Sequence, residues 1–152
     1  IKPFGIRAMG TMAVEKSYRL VGRELSIEYS AYESGLDRFV HPNKGDFIGR
    51  DELVKRHAAG DEWTYVTKEV HNLKDCDARG SEAVFDASCS LVGRVTTGSY
   101  GWRVGKSLAL AMVKPEHSAD GTRLQVKILG ELFVATVIAE SPFDADNERL
   151  RA

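Results

Sequence analysis

The chain has 152 residues, of which 28% are charged, and its formal net charge at pH 7 is -1. This length suits one good core or two small cores in contact, and the near-neutral charge gives no reason to expect a nucleic acid or an anionic membrane as partner. Because no apolar run approaches the roughly 18 residues that span a bilayer, and no secretory pattern opens the chain, we expect a cytoplasmic location.

The two cysteines and four histidines do not form a recognisable metal or disulfide pattern. Cys76 and Cys89 lack a CxxC spacing and nearby paired histidines, so they are interpreted as reduced thiols. The histidines stand singly, and we expect no metal site. The chain opens at Ile1 rather than at a methionine, which leads us to expect a piece of a longer protein.

Residues 2–18 are predicted to form a helix. Pro3 suits a first turn, and the apolar residues of the stripe recur at helical spacing as Phe4, Ala8, Met9 and Met12. Glu15 and Arg19 stand four residues apart, so from the residues alone an exposed ion pair between them is the main expectation for Glu15.

The next segment is predicted to be mostly irregular. A brief alternation in residues 24–33 allows a short extended segment, and Pro42 and Gly45 exclude a regular element from residues 41–46. Residues 51–59 form a second predicted helix, with acidic residues in its first turn and Gly60 at its end. One edge of this helix is expected to be buried through Leu53, Val54 and His57.

After Gly60 the hydrophobic period changes from helical to the value of two that is typical of strands. Short strands are predicted at 63–70 and 83–85, on both sides of residues 97–107, and as a hairpin of 123–129 with 132–139. Residues 72–81 form a polar loop, and 142–152 an extended polar tail. This spacing predicts an α+β chain that ends in a small, closed or nearly closed antiparallel barrel.

Residues 97–107 are predicted to be a wide, glycine-rich loop. The loop carries Tyr100, Trp102, Arg103 and Lys106, so groups that stack and pair with anions lie on backbone that a ligand can approach. Two aromatic rings that merely cover the end of a sheet explain the same residues equally well.

No motif in the chain identifies a nucleophile or a general base. Two function classes therefore remain open. One is the ligand-binding part of an enzyme whose chemistry lies upstream. The other is a stand-alone barrel module that docks a protein partner through Tyr100 and Trp102.

Six segments in order resemble the C-terminal part of the glycine-cleavage T-protein (aminomethyltransferase) superfamily. They are Phe4-Gly-Ile-Arg-Ala-Met, Val14-Glu-Lys-Ser-Tyr18, Gly22-Arg-Glu-Leu25, Gly45-Asp-Phe-Ile-Gly-Arg-Asp-Glu-Leu53, Gly93-Arg-Val-Thr-Thr-Gly-Ser-Tyr100 and Lys106-Ser-Leu-Ala-Leu110. The Glu15 to Arg19 segment and the closing Asn147-Glu-Arg-Leu-Arg151 most resemble the dimethylglycine and sarcosine dehydrogenase branch.

The resemblance implies that residues 1–59 are the truncated end of a folate-binding domain and that residues 60–152 are a C-terminal β-barrel. It also implies a tetrahydrofolate cofactor that receives a one-carbon unit from a methylamine-type substrate. The location becomes the mitochondrial matrix if the source is eukaryotic. The apolar surface that truncation exposes could support a homodimer.

The resemblance also assigns residues to the folate site. Glu15 matches the carboxylate that pairs with the pterin, a role that suits it because a carboxylate accepts two parallel hydrogen bonds from a guanidine-like edge. Tyr18, Lys44 and Tyr100 are the other expected cofactor contacts. Glu148 stands where the T-protein has a folate-contacting tyrosine, so no contact from the tail is expected.

The family's catalytic Asp belongs to a segment that would precede Ile1, and so does any FAD domain of the dehydrogenase branch. We therefore expect no catalytic residue in this chain, and we expect the 152 residues alone to be inactive.

Overall fold

The structure, a computed structural model, describes residues 2–73 and 76–152. Within these ranges the α-helices are α1 (Ile6–Glu15), α2 (Arg50–Ala59) and α3 (Glu148–Arg151). The strands are β1 (Thr64–Val70), β2 (Ala83–Phe85), β3 (Leu91–Gly101), β4 (Lys106–Val113), β5 (Arg123–Ile128) and β6 (Glu131–Ile138). Single turns of 3-10 helix lie at Asp37–Phe39, Pro42–Lys44 and Pro115–His117.

The six strands close into an antiparallel barrel in the order β1-β4-β3-β2-β5-β6. The predicted α+β class and the predicted barrel are therefore confirmed, and β2 and the β5–β6 hairpin lie where the sequence pattern places them. The interior is filled by small and β-branched side chains from all six strands, among them Val66, Val84, Val95, Ala111, Val126 and Ala135.

The predicted wide loop at residues 97–107 is wrong. β3 continues to Gly101 and pairs with β4 as far as Lys106, so the connection is a tight turn over residues 102–105. The glycines serve close packing in the strand: a Cβ on Gly98 would overlap the carbonyl oxygen of Ala78. Gly105 supplies the positive φ of +69° for the turn, and its amide donates to the carbonyl of Gly101 at 2.7 Å.

Helix α1 is shorter than the predicted helix over 2–18. It follows Gly5 and ends at Glu15, and Ser17 then adopts a positive φ of 53°. The buried end of α1 packs through Val14 onto a cluster that includes Leu108 of β4. The apolar stripe of the helix instead points away from the barrel, and its exposed members are Phe4, Ile6, Met9 and Met12.

Two other regions differ from their predictions. Helix α2 is present, but none of its residues is buried, so the expected buried edge of Leu53, Val54 and His57 is wrong. His57 instead stacks on Tyr32 with ring centroids 3.8 Å apart, which lets a polar helix lie on the surface. Residues 24–33 contain turns rather than an extended segment, apart from an isolated bridge between Val21 and Leu25.

Short helical turns replace two predicted irregular stretches. Pro42 begins a 3-10 turn, which the missing N–H of proline permits at a first helical position. The tail ends in α3 because the Asp144 carboxylate accepts the Glu148 amide hydrogen bond at 2.9 Å and so caps a helix. The predicted loop 72–81 lacks regular structure where it is described, and Lys74 and Asp75 lie outside the described residues.

Candidate functional site

Glu15 is the last residue of α1, and its side chain is buried against the β3–β4 turn. Only 2% of its surface is exposed. Oε1 accepts hydrogen bonds from the backbone amides of Arg103 at 2.6 Å and Val104 at 3.4 Å. The expected ion pair of Glu15 with Arg19 is wrong, because Arg19 pairs with Glu140 at 2.7 Å.

The space that Glu15 occupies exists because residue 101 is a glycine. A Cβ on Gly101 would lie 3.1 Å from Cγ of Glu15 and 2.8 Å from Cγ2 of Val104. A side chain at this position would therefore push the helix end away from the turn. The glycine at the end of β3 lets α1 and the turn meet closely enough for the carboxylate to reach the amides.

The charge of Glu15 is held by backbone dipoles alone. Among residues 2–73 and 76–152, no lysine, arginine or histidine nitrogen lies within 4.0 Å of this carboxylate. A buried carboxylate without a cation is costly unless hydrogen bonds satisfy it. Since the turn amides engage Oε1, the second oxygen is the one that suits an external donor.

Tyr18 and Lys44 lie outside α1, the helix that carries Glu15. Tyr18 follows α1 and is 51% exposed, so its ring lies mainly at the surface. Lys44 ends the Pro42–Lys44 turn, and its Nζ lies 4.9 Å from the ring centroid of Phe47. Whether either side chain shares a ligand with Glu15 stays a prediction.

Tyr100 lies on the same β3–β4 hairpin as the amides that hold Glu15, but it lines a separate cavity. The volume of this cavity is about 660 Å³. Tyr100 and Trp102 meet edge to face at its rim, with ring centroids 4.9 Å apart, and Trp102 is 78% exposed. Charged groups line the cavity as well, including Lys106, which pairs with Glu69 at 2.7 Å. The cavity can accept a planar ring that also carries polar groups.

Two further features bear on the chemistry of the chain. Cys76 and Cys89 are both unpaired. Over the described ranges, no three residues of the His, Cys, Asp and Glu types come together as a metal site would require. None of the α-helices in those ranges has both the length and the apolar character needed to cross a membrane.

The barrel that positions these groups matches a known family. The family described as the glycine cleavage T-protein C-terminal barrel domain matches residues 66–144. The chain belongs to the glycine cleavage T-protein family. The expected membership is thereby confirmed.

Two kinds of enzyme are among the relatives of this T-protein-family chain. The mitochondrial dimethylglycine dehydrogenase of Rattus norvegicus is 35% identical over 141 residues, which are 92% of this chain and 16% of that protein. The aminomethyltransferase of Koribacter versatilis is 35% identical over 138 residues, which are 91% of this chain and 36% of that protein. The chain thus spans only a small part of the relatives that it matches.

A solved structure shows the same fold. The crystal structure of glycine cleavage system aminomethyltransferase T from Bartonella henselae matches with a TM-score of 0.84 over 93% of this chain and 39% of that chain. Its sequence identity is 18%, so this likeness concerns the fold alone.

Sequence reasoning selected Glu15 but missed what surrounds it. The two amides of the turn carry no side-chain signal, and they are found only when the chain is folded. The available signal is the glycine at 101, directly before Trp102-Arg103-Val104, because a glycine permits close approach of another segment. The glycine spacing of residues 97–107 instead predicts a loop at this position. The assignment of Glu15, Tyr18, Lys44 and Tyr100 to a folate site remains a prediction.

Proposed function

We propose that this chain contributes the pterin-binding carboxylate, Glu15, to an aminomethyltransferase-type enzyme that transfers a one-carbon unit to tetrahydrofolate. The observation that carries the proposal is that the buried Glu15 carboxylate, which has no cationic partner among the described residues, accepts hydrogen bonds from them through Oε1 alone. A carboxylate kept in this state is a strong acceptor for paired N–H donors, and the guanidine-like edge of a pterin supplies such a pair.

The residues present fit a folate in part. The turn amides and the clearance at Gly101 fix the direction of Glu15 and leave Oε2 for the ligand. Full pairing with the pterin requires the ligand to share Oε1 with the amide of Arg103 or to displace that amide. Tetrahydrofolate supplies the nitrogens that carry the one-carbon unit, and this chain supplies binding and orientation.

We assign residues 1–59 to the end of the folate-binding domain and residues 60–152 to the C-terminal barrel. The catalytic groups, the methylamine-type substrate site and, in a dehydrogenase-type parent, an FAD domain then belong to upstream sequence. Reading the sequence upstream of Ile1 tests this division directly. An open reading frame that starts at or just before Ile1 would contradict it and favour a free-standing module.

The decisive experiment compares two buried glutamates in the full-length parent protein. Glu15→Gln keeps an oxygen for the Arg103 amide but replaces the other acceptor by a donor. We expect tetrahydrofolate affinity, measured by calorimetric titration, to fall about 10- to 100-fold, since a charged hydrogen bond contributes about 1.5 to 3 kcal/mol.

Glu24→Gln is the matched control. Glu24 is also fully buried, and it bonds to the Leu20 amide at 2.9 Å and the Thr97 hydroxyl at 2.7 Å. We expect this variant to lower the free energy of unfolding without a specific loss of folate affinity. Equal folate affinity for wild type and Glu15→Gln would leave Glu15 as a structural cap of the turn and refute the proposal.

One observation favours a second candidate, a barrel module that docks a protein partner. Trp102 is 78% exposed beside the cavity of Tyr100, and large exposed aromatic rings are enriched where proteins bind one another. This candidate predicts that Trp102→Ala abolishes partner capture while folate affinity stays unchanged. The folate proposal predicts no partner that depends on Trp102.

A further inference from the structure

A second concave site lies beside β3 at Arg94, Val95 and Thr96, and Glu15 does not line it. Its volume is about 350 Å³. Three arginines line it, and we call it the arginine cavity. The polar side chains that line it are Arg23, Arg79, Arg94, Ser26, Ser81 and Glu28.

Arg23 is held in place by backbone carbonyls. Its Nη1 donates to the carbonyl oxygens of Arg79 at 2.8 Å and Thr96 at 2.9 Å. Gly80 makes this seat, because a Cβ there would lie 2.6 Å from the Thr96 oxygen and 3.2 Å from Arg23 Nη1. The φ of Gly80, +134°, is also one that other residues rarely adopt. The guanidinium is therefore fixed before any ligand arrives.

The loop that carries Arg79 is fixed as well. The Glu82 carboxylate accepts hydrogen bonds from the amides of Arg79 at 2.8 Å and Gly80 at 2.7 Å. These amides are thus already occupied, so a ligand in the arginine cavity would be bound by side chains rather than by this backbone.

The positive charge of the cavity is only partly balanced. Arg94 pairs with Glu28 and donates its Nε to the Tyr29 hydroxyl at 2.8 Å. In the part of the chain that the structure describes, neither Arg23 nor Arg79 has a carboxylate within 4.0 Å of its guanidinium. Two unbalanced guanidinium groups in one concavity attract anions, even though the net charge of the whole chain is -1.

We propose that the arginine cavity binds a small molecule that carries at least two acidic oxygens, as a phosphate or as carboxylates. Guanidinium groups bind both oxyanions through two parallel N–H donors, which a lysine cannot do. Ser26 and Ser81 also line the arginine cavity, and their hydroxyl groups are additional hydrogen-bond donors. The volume lies at the lower end of the range for small-molecule sites, roughly 300 to 1,000 Å³, and so suits a compact ligand.

The test titrates the 152-residue chain with two probes, inorganic phosphate and succinate, at constant ionic strength. Binding is followed by amide chemical shifts, with Gly22, Gly80 and Ser81 as reporters because they line the cavity. We expect saturable shifts at these amides with at least one probe. Saturation by phosphate alone assigns a phosphate-bearing ligand, and saturation by succinate alone assigns a dicarboxylate.

Arg79→Gln is the main variant, since the residue is exposed and its removal leaves the seat of Arg23 intact. We expect it to weaken binding by at least about tenfold, the loss of one charged hydrogen-bonded pair. Arg123→Gln is the matched control, because Arg123 is exposed on β5 and does not line the cavity. Its affinity should equal that of the wild type.

Two results would overturn the proposal. The first is the absence of saturable shifts at the reporter amides with both probes. The second is an equal loss of affinity in Arg79→Gln and Arg123→Gln, which would show attraction by overall charge rather than by a built site. Neither result bears on Glu15, so the folate proposal and this one fail independently.

Discussion

Replacement of Lys68 by methionine should stabilise the barrel, and the gain should depend on pH. Lys68 lies on β1 between Val66 and Val70, which both face the interior, and its side chain is 0% exposed. It stands opposite Ala109 of β4 and Val137 of β6, which belong to the same core. Its Nζ has no hydrogen-bond partner among the described residues. Methionine retains a long unbranched chain and removes the ammonium group.

The magnitude follows from the pKa of this amine. Burial lowers the pKa of Lys68 from 10.5 to about 7, because the charged form loses its hydration. Below about pH 7 both the folded and unfolded states carry the proton, and the full cost of burying the charge is present. That cost is about 5 kcal/mol, at about 1.36 kcal/mol for each pKa unit.

The cost falls as the pH rises above the pKa of the folded state. Between about pH 7 and 10.5 the unfolded state binds a proton that the folded state does not, so wild-type stability increases with pH. The part of the Lys68→Met advantage that comes from the charge should therefore be about 5 kcal/mol at about pH 6 and about 3 kcal/mol at about pH 8.5. Above about pH 10.5 only the smaller gain from removing a buried, unpartnered neutral amine should remain.

Urea unfolding of both proteins across this pH range measures the difference directly. Lys127→Met is the control, because Lys127 is exposed on β5 and the same change there should have a small effect at every pH. A difference for Lys68→Met that stays constant with pH, or a variant less stable than wild type at about pH 6, would refute the reasoning.

Two further predictions concern α1. Gly101→Ala should lower the free energy of unfolding, measured in urea, by about 1 to 3 kcal/mol because the new Cβ meets Glu15. Gly10→Ala is the control, because its Cβ meets open space in a helix, and it should raise the free energy of unfolding by up to about 1 kcal/mol. Equal effects of the two changes would contradict the role of Gly101. Met9→Ser should reduce self-association in sedimentation velocity, because Met9 belongs to the exposed apolar stripe. An unchanged sedimentation profile, or a wild type that is monomeric at all concentrations, would contradict that expectation.

The barrel was predictable because its signal is local and repeated. Alternating apolar and polar residues, bounded by turn residues, indicate strands such as Ala83–Phe85 and the hairpin around Gly130 directly from the sequence. The extent of β3 was not predictable in this way. Gly98 and Gly101 look like loop residues until the backbone of Ala78 and the side chain of Glu15 are known to lie against them. Both contacts join residues that are distant in sequence.

The predictions of a buried edge on α2 and of an exposed ion pair for Glu15 were wrong for the same reason. Periodicity indicates which face of a helix is more apolar, but it does not say whether anything covers that face. Helix α2 lies uncovered at the surface, while Glu15 is buried by a hairpin more than eighty residues later. The resemblance to a family singles out Glu15 as a candidate, and only the fold shows how its carboxylate is held.

If Glu15 binds a pterin as proposed, its surroundings also give a physical reason for a barrel to accompany the segment that carries it. The carboxylate belongs to α1, but the amides that orient it belong to the turn between β3 and β4. Those strands pair with one another over eight register positions, so the turn is tied to the rigid body of the barrel. A carboxylate at the free end of a short helix would otherwise sample many directions, and each would cost entropy when a ligand binds. By fixing that direction in advance, the barrel can raise ligand affinity without touching the ligand. On the same proposal, a change at Gly101 should weaken pterin binding through Glu15, even though the glycine itself would contribute no contact to the ligand.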